Sequence, residues 1–435
     1  MRAWTSRAGW AADSGWVDEV TAGNFLDAWE HELCTGLDSS PAGDATPDSY
    51  NPAMPSPSAF DICIRGGGIV GRTLALLLAR ERLRVALVPH ASAPRAGESS
   101  DVRAYALNAA SRALLESLRC WPDPAEATAV LAMQVCGDDG GEVNFDAARQ
   151  GRGTPLAWIV DVAALEARLA EAVRYQPQIE VLDHAPPATL TVVCEGKASS
   201  TRAELGLDYD QHAYGQSAIA TRLQCERPHG QVARQWLLPG EVLALLPLGG
   251  PDGHAVAVVW SVPQERVAAC LALDDAAFTQ TLEQISHHTL GRLQPLGERA
   301  VWPLQLAQAR HFAGVRTAGD GQSMAWALAG DAAHTVHPLA GQGLNLGLGD
   351  VAELVTVLRS RESWRSVADP RLLRRYERSR KAALAAMRLA TDGLQQLFAH
   401  QQPAWQGLRN WGMKGFERSG PLKAWVARRA MGAGS

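Results

Sequence analysis

The chain has 435 residues, enough for two or three packed units and too many for one small core. Hydrophobic residues make up 46% and charged residues 20%, which excludes a fibrous, disordered or mini-protein character for most of it. The net charge of −5 hides an asymmetry, because residues 1–57 carry two Arg against nine Asp and Glu, whereas residues 359–435 carry sixteen Lys and Arg against five Asp and Glu. The basic end favours contact with an anionic membrane surface or an acidic partner, and the alternative is a solvated helix that packs its Trp residues inward. We expect no nucleic acid as a partner.

Cysteine usage and hydropathy indicate the cellular compartment in which the protein works. The seven cysteines form no CxxC pair and have no histidine at ligand spacing, so neither a disulfide framework nor a metal site is indicated. No run of 18 apolar residues predicts a spanning helix, and the N-terminus lacks the layout of a signal peptide. We expect a cytoplasmic protein, peripheral at most on the inner face of a membrane.

Residues 1–57 predict an acidic, disordered extension. Its second half, 35–57, is rich in Ser, Pro, Asp and Gly and cannot bury enough apolar surface to offset its ordering entropy. One helix is allowed by the apolar spacing over Val17–Glu32. Met54 stands just before the first strand-like segment, so two interpretations stay open: a dispensable leader before a natural start at Met54, or a partner-binding extension.

From Ala59 onward the apolar pattern becomes regular. A strand at Phe60–Ile64, an amphipathic helix at Ile69–Arg82 and a strand at Arg84–Val88 predict a βαβ opening. Strand-like runs between 209 and 260 predict a separate, mainly antiparallel sheet. Further strands are predicted at Leu156–Val160, Leu190–Cys194 and Trp326–Ala329, and helices at Val162–Tyr175, Leu344–Leu358 and Arg371–Ala399.

A G-x-G-x-x-G pattern, Gly66, Gly68 and Gly71, joins the first strand to the first helix. Glycines there let the backbone approach a pyrophosphate, whose charge the helix N-terminus stabilises. The pattern is common by chance, so its place in a βαβ unit carries the prediction. The alternative is a tight turn without a ligand.

A dinucleotide site usually has a carboxylate at the end of its second strand, to bind the adenosine ribose. Here Pro89 and His90 follow that strand, so the carboxylate is absent. Glu98, in a Gly- and Ser-containing loop, is a candidate substitute.

A second glycine-rich block runs from Gly330 to Gly347 after a predicted strand. Asp331 can accept hydrogen bonds from a chain of sugar-like hydroxyls, and the helix start at Gly341–Asn345 directs a positive dipole end at whatever lies above it. His334 and His337 have HxxH spacing but no third ligand nearby. Packing roles are therefore favoured over metal binding.

The two blocks together resemble the class A flavoprotein monooxygenases of the para-hydroxybenzoate hydroxylase fold, and within them the ubiquinone-biosynthesis hydroxylases that act on polyprenyl phenols. The resemblance covers about residues 59–432. Other segments agree with that family: Asp101–Leu107 with Ser111, Ala244–Leu248, Val259–Ser261, Pro303–Leu304 and the ending Gly420–Gly432.

The resemblance implies an α/β fold: a Rossmann-like FAD-binding domain, an inserted mainly antiparallel β-sheet substrate domain and a helical C-terminal region. We expect the FAD-binding domain at 58–204 and 303–358, the substrate domain at 205–302, and the basic helical region at 359–435, after the extension of residues 1–57.

The resemblance also assigns cofactor roles. Gly66, Gly68 and Gly71 would contact the FAD pyrophosphate, Arg103 the FAD near its phosphates, and Asp331 the ribityl hydroxyls and pyrophosphate. For Arg103 the alternative is a surface arginine. The isoalloxazine and substrate side would be lined by Pro338, Gly341, Gln342, Gly343, Leu344 and Asn345, and the catalytic candidates are His337, Pro338 and Gly341.

Three departures from the family pattern lie on the cofactor side. Glu195 stands where the family has the Asp of an Asp-Gly motif tied to FAD and NADPH handling; its alternative role is a turn after a strand. Only fourteen residues separate Glu180 from Glu195, so a β-meander that usually precedes the motif is largely missing. Glu166 replaces a Gln or His often found on the preceding helix.

Two functions therefore remain open. The first is an FAD-dependent hydroxylase of a polyprenyl phenol in ubiquinone biosynthesis, with NAD(P)H and O2 as co-substrates and a flavin C4a-hydroperoxide as the oxygen donor. The second is a non-catalytic flavin-fold subunit of a ubiquinone-biosynthesis assembly, which the altered cofactor features favour. The intact block from Gly330 to Gly347 favours the enzyme.

Overall fold

A computed structural model describes residues 59–89, 102–137, 141–150, 154–317, 323–335 and 343–399. The chain divides into two units, Met1–Ser56 and Pro57–Ser435, and every element below belongs to the second. The predicted extension and the chain beyond residue 399 lie outside the described residues. So do six residues singled out from the sequence: His90, Glu98, His337, Pro338, Gly341 and Gln342.

The described residues form the following elements. The strands are β1 (Phe60–Arg65), β2 (Val85–Val88), β3 (Ala104–Leu107), β4 (Ala127–Val130), β5 (Ala132–Cys136), β6 (Glu142–Asp146), β7 (Ala157–Asp161), β8 (Ile179–Val181), β9 (Ala188–Val193), β10 (Tyr209–Cys225), β11 (Val232–Leu238), β12 (Glu241–Leu248), β13 (Ala255–Pro263), β14 (Leu293–Pro295), β15 (Ala300–Ala309), β16 (Ala313–Thr317), β17 (Ser323–Leu328) and β18 (His334–Thr335). The helices are α1 (Ile69–Arg80), α2 (Ala109–Ser117), α3 (Val162–Arg174), α4 (Ser200–Glu204), α5 (Gln264–Ala272), α6 (Asp275–Ile285), α7 (Gly343–Arg359) and α8 (Pro370–Ala399).

The first sheet has the order β16-β17-β9-β1-β2-β8 and is parallel except for β16, which runs antiparallel to β17. Its central strands are mainly apolar, and Ile62, Ile64 and Val192 in them are fully buried. Continuous apolar runs are expected where helices cover both faces of a parallel sheet. The predicted βαβ opening is confirmed, with α1 ending before Arg82, whose φ of 61° is left-handed.

The second sheet, as far as the described residues show it, has the order β18-β15-β10-β13-β12-β11-β5-β6, with β14 beside β10. It is mainly antiparallel, as the sequence predicts; β11 and β5 pair in parallel. Trp260, fully buried, packs edge-on against Phe278 of α6 at 5.9 Å between ring centroids. The α/β class with a Rossmann-like sheet and a second antiparallel sheet is confirmed.

The strands of the second sheet come from several parts of the chain, including parts that the sequence analysis assigns to the FAD-binding domain. Strands β5 and β6 belong to the second sheet although they lie within 58–204, and β18 joins it from within 303–358. A third, three-stranded sheet, β3-β7-β4, contributes to the same core cluster as α1 and α7. The connection between β8 and β9 contains no strand, in keeping with the short spacing there.

Candidate functional site

The glycine turn between β1 and α1 is tight because two of its glycines touch backbone. Gly66 has a φ of 119°, and a Cβ there would collide with the carbonyl group of Cys194 at the end of β9. A Cβ at Gly71 would collide with the carbonyl group of Gly66. The protein's own packing therefore accounts for both glycines.

Gly68 differs, because a Cβ at this position would meet no atom of the described residues within 4 Å. It is the N-cap residue of α1 and supplies no side-chain hydrogen bond to the helix. The first amides of a helix have no intrahelical acceptor, and the dipole favours an anion there. Open space above an uncapped helix start fits the pyrophosphate of FAD.

The end of β2 lies beside this turn. A Cβ on Gly67 would sit 3.1 Å from the Cα of Pro89, the exposed residue that follows β2. In dinucleotide-binding sites of this kind, the residue at this position is usually a carboxylate that binds the adenosine ribose. Proline has no side-chain acceptor, so residue 89 cannot fill that role.

Asp331 lies on the turn that leaves β17. Gly330 precedes it with a φ of 64°, and the Asp331 side chain is half-buried. Its carboxylate accepts no hydrogen bond from the described part of the chain. Burial raises the pKa of Asp331, and the charges of Lys197, His334 and Arg103 offset only part of that rise. A destabilised carboxylate with free acceptor atoms fits a ligand that carries hydroxyl groups.

Arg103 is exposed just before β3, and its charge lies close enough to Asp331 to lower the pKa of that carboxyl. The structure therefore brings together two of the predicted cofactor residues that are more than two hundred positions apart in sequence. Lys197 joins them as a second exposed cation, which sequence reasoning missed. The sequence did offer one signal for Lys197, namely its position directly after Glu195-Gly196.

A buried arginine and a tyrosine hold the Asp331 turn against the loop after β9. Arg202 donates to the carbonyl oxygens of Ala332 (3.1 Å) and Lys197 (2.8 Å), and its guanidinium lies 3.5 Å from the ring centre of Tyr209. The Tyr209 hydroxyl donates to the carbonyl oxygen of Asp331 at 3.1 Å. The two predicted cofactor loops are thus held together by side chains with no signal of their own in the sequence.

Glu195 is fully engaged by the protein. Its carboxylate accepts from the Ser199 hydroxyl (2.7 Å) and from the backbone N–H and hydroxyl of Thr201 (3.0 and 2.6 Å), and it pairs with Arg65 at 3.2 Å. Burial raises the pKa of Glu195, but the bonds from Thr201 and Ser199 and the Arg65 charge outweigh it, so the pKa lies below its ordinary value. These contacts support the turn role; contact with FAD or NADPH stays a prediction.

The start of α7 carries three predicted residues. Asn345 is buried, accepts from the Asn108 N–H (2.9 Å) and the Ser111 hydroxyl (2.7 Å), and donates to the Ala106 carbonyl oxygen (2.7 Å). Its side chain therefore joins α7 to the β3–α2 connection, and any contact with a flavin ring falls to its backbone. Leu344 is buried in the core, whereas a Cβ on Gly343 would meet no atom of the described part of the chain within 4 Å.

His334 has a packing role, as the sequence favours. Its Nε2 lies 2.7 Å from the buried Asp350 carboxylate. No cluster of His, Cys, Asp and Glu within the described ranges could hold a metal ion. His337, Pro338, Gly341 and Gln342 lie outside the described residues, so their roles stay predictions.

Comparison with known proteins decides the family. The chain is 30% identical over 401 residues to ubiquinone hydroxylase UbiL of Rhodospirillum rubrum, covering 86% of this chain and 89% of that protein. It is also 30% identical over 402 residues to 3-demethoxyubiquinol 3-hydroxylase of Escherichia coli, covering 86% and 98%. The chain belongs to the FAD-dependent ubiquinone-biosynthesis hydroxylases. The family resemblance drawn from the two glycine-rich blocks is confirmed.

Two further comparisons agree with this family. An FAD binding domain model matches residues 186–390, which include Glu195, Asp331 and the start of α7. Among solved structures, p-nitrophenol 4-monooxygenase PnpA of Pseudomonas putida DLL-E4 superposes with a TM-score of 0.66 over 86% of this chain and 99% of that one, at 17% identity. This likeness shows the shared fold. FAD is accordingly the cofactor of the family to which the chain belongs.

Proposed function

We propose that this chain hydroxylates an aromatic, prenylated phenol in ubiquinone biosynthesis, with NAD(P)H and O2 as co-substrates. One observation carries the proposal: the Asp331 carboxylate accepts no hydrogen bond from the described residues and so can accept from a chain of hydroxyls such as FAD presents. The space at Gly68, beside the N-terminus of α1, adds a place for the pyrophosphate. The relatives named as ubiquinone hydroxylase and 3-demethoxyubiquinol 3-hydroxylase supply the substrate class.

The chain's own residues would bind and orient the cofactor. The α1 N-terminus at Gly68 would hold the pyrophosphate, Arg103 and Lys197 would add positive charge, and Asp331 would accept from the ribityl hydroxyls. When bound, FAD supplies the redox chemistry: two electrons from NAD(P)H and activation of O2. Per turnover, one oxygen atom enters the ring C–H bond as a hydroxyl group and the other leaves as water.

His337, Pro338 and Gly341 are the residues proposed to lie beside the flavin ring and the substrate. Their motif supports this placement, since it leads directly into α7 at Gly343. On this mechanism the protein orients the phenol, excludes water and supplies dipoles; it needs no side-chain nucleophile. The substrate would lie between the parallel sheet and the second sheet.

The test uses purified chain loaded with FAD. NADPH oxidation and oxygen uptake should rise when a prenylated phenol is added, and the product should be heavier by one oxygen atom. The Asp331→Asn variant, treated identically, serves as the control in which weaker FAD binding is expected. FAD-loaded protein that oxidises NADPH with no hydroxylated product from any prenylated phenol would contradict the proposal.

A non-catalytic flavin-fold subunit is the second candidate. It is favoured by Glu195, whose carboxylate is taken up by Ser199, Thr201 and Arg65, and by Pro89 in place of a ribose acceptor. This function predicts binding to other proteins of the pathway without NAD(P)H oxidation. The same assay therefore separates the two candidates.

We also propose peripheral contact of the basic region 359–435 with the inner face of an anionic membrane. No helix within the described residues is long and apolar enough to cross a bilayer. On α8, Arg371, Arg374 and Arg375 are exposed on one side of the helix, and Trp364 before it has 76% of its side chain exposed. Arginine beside exposed tryptophan is the composition of interfacial segments.

A further inference from the structure

A buried charge cluster is formed by Asp350, His334 and Arg380. Asp350 of α7 is fully buried, and its two carboxylate oxygens accept from the Gly330 N–H (2.8 Å), His334 Nε2 (2.7 Å) and Arg380 Nε (2.6 Å). Arg380 of α8 is also buried and donates a further bond to the Leu346 carbonyl oxygen at 3.2 Å. A buried carboxylate is stable only when paired and fully hydrogen-bonded.

Arg380 is the permanently charged partner in this cluster. Burial alone raises the pKa of Asp350, but His334 and Arg380, together with the Gly330 N–H, lower it below its ordinary value. Asp350 is therefore held as a carboxylate, the form that can accept three hydrogen bonds at once. Without the Arg380 guanidinium, the ionised form of Asp350 would lose part of the stabilisation that offsets its burial.

The cluster acts directly on the residue before Asp331. Gly330 stands in the left-handed region with a φ of 64°, and its N–H is fixed by Asp350. A Cβ on Gly347 of α7 would lie 3.2 Å from the Gly330 Cα, so the turn is pressed against this helix. The direction in which the Asp331 carboxylate leaves the turn depends on that backbone.

A second residue of α8 acts on the other side of the same turn. The buried Tyr376 hydroxyl donates to the carbonyl oxygen of Leu328, the last residue of β17, at 2.7 Å. Tyr376 and Arg380 are four positions apart and so lie on one face of α8. One helix thus contacts both the strand that enters the turn and the carboxylate that holds it.

We propose that Arg380 is a positioning residue for FAD: through Asp350 it sets the Gly330 backbone, and with it the direction of the Asp331 carboxylate. This role rests on FAD binding at Asp331, not on the identity of the substrate. It also makes the cofactor site dependent on the C-terminal helix, an element outside the glycine-rich block.

The test measures FAD affinity of the full chain by quenching of flavin fluorescence, with far-UV circular dichroism recorded on the same samples. Arg380→Met should weaken FAD binding about tenfold or more, because Asp350 loses its charged partner. Arg380→Lys keeps the charge and should fall between Arg380→Met and wild type. Arg378→Met, on the exposed side of the same helix, is the matched control and should bind as wild type does.

The visible spectrum of bound FAD at saturation is the second measurement. A shifted Asp331 should change it, whereas a general loss of stability leaves it unaltered. A folded Arg380→Met protein with wild-type affinity and spectrum would overturn the proposal. If Arg380→Met does not fold, the pair Asp350→Asn with Arg380→Met, which removes the carboxylate and the guanidinium together, is measured with the same two outcomes. Because these readouts need no turnover, they are independent of whether the proposed hydroxylation occurs.

Discussion

Replacing Asp331 with Asn should weaken FAD binding and stabilise the apo-protein at the same time. The carboxylate is half-buried, no described residue donates a hydrogen bond to it, and burial raises its pKa. Charge-assisted bonds to ribityl hydroxyls are worth about 1.5–3 kcal/mol, so their loss should raise the FAD dissociation constant about tenfold to a hundredfold. The apo-protein, however, no longer has to bury an unsatisfied charge.

The stability effect has a defined pH dependence. A carboxyl whose pKa is higher in the folded than in the unfolded state lowers the free energy of unfolding at pH values above its unfolded pKa, which is near 3.8. At pH values well below 3.8 the carboxyl is protonated in both states and the effect disappears. The gain from Asp331→Asn should therefore be about 0.5–1 kcal/mol at pH 7.5, or roughly 1–2 °C in Tm, and should shrink as the pH falls toward 4.

Two measurements check this prediction. FAD titration by fluorescence quenching gives the affinity, and thermal unfolding of the apo-proteins at several pH values gives the stability. Asp183→Asn, in the exposed loop between β8 and β9, is the matched control and should change neither. An Asp331→Asn protein that binds FAD as wild type does would show that the cofactor site has been placed wrongly. A variant less stable than wild type at pH 7.5 would show that the native carboxylate has a donor.

The remaining predictions concern four other parts of the chain. Pro89→Glu should tighten FAD binding about tenfold by restoring a ribose acceptor beside Gly67, and equal dissociation constants for the two apo-proteins would refute it. Glu195→Gln should lower the free energy of unfolding by about 1–3 kcal/mol at pH 7, because a carboxylate whose pKa is lowered by folding stabilises the fold at pH values above its ordinary pKa of 4.5. The difference in stability between the two proteins should narrow as the pH falls below 4.5, and a Tm equal to that of wild type would contradict the contacts of Glu195. Deleting 404–435 should reduce sedimentation with anionic liposomes, and unchanged binding would remove the membrane proposal. A chain starting at Met54 should match the full chain in Tm and flavin content, and a marked loss of either would make residues 1–53 structural.

Local patterns were sufficient for much of the fold and part of the site. The βαβ opening, the strand into Gly330 and the helix after it are dense in apolar residues with a clear period, and their flanking glycines mark both turns. Gly68 and Asp331 could be singled out from the sequence because both stand in glycine-rich turns between a strand and a helix, and their roles toward FAD stay predictions. The short strands β5 and β6 were not predicted, since half-buried runs of five residues carry little periodic signal.

By itself, the sequence determined the α/β class, the two glycine-rich turns and the absence of a carboxylate at residue 89, because each depends on residues adjacent in the chain. Tertiary structure alone decided what those turns contact. It brings the charge of Arg103 near enough to Asp331 to lower the pKa of that carboxyl, engages Glu195 with Ser199 and Thr201, and pairs Arg380 with Asp350. Glu195 and its partners are only four and six positions apart, but Arg380 reaches Asp350 from another helix. In either case a charged residue gives no sign of its partner in the sequence until packing excludes water from both.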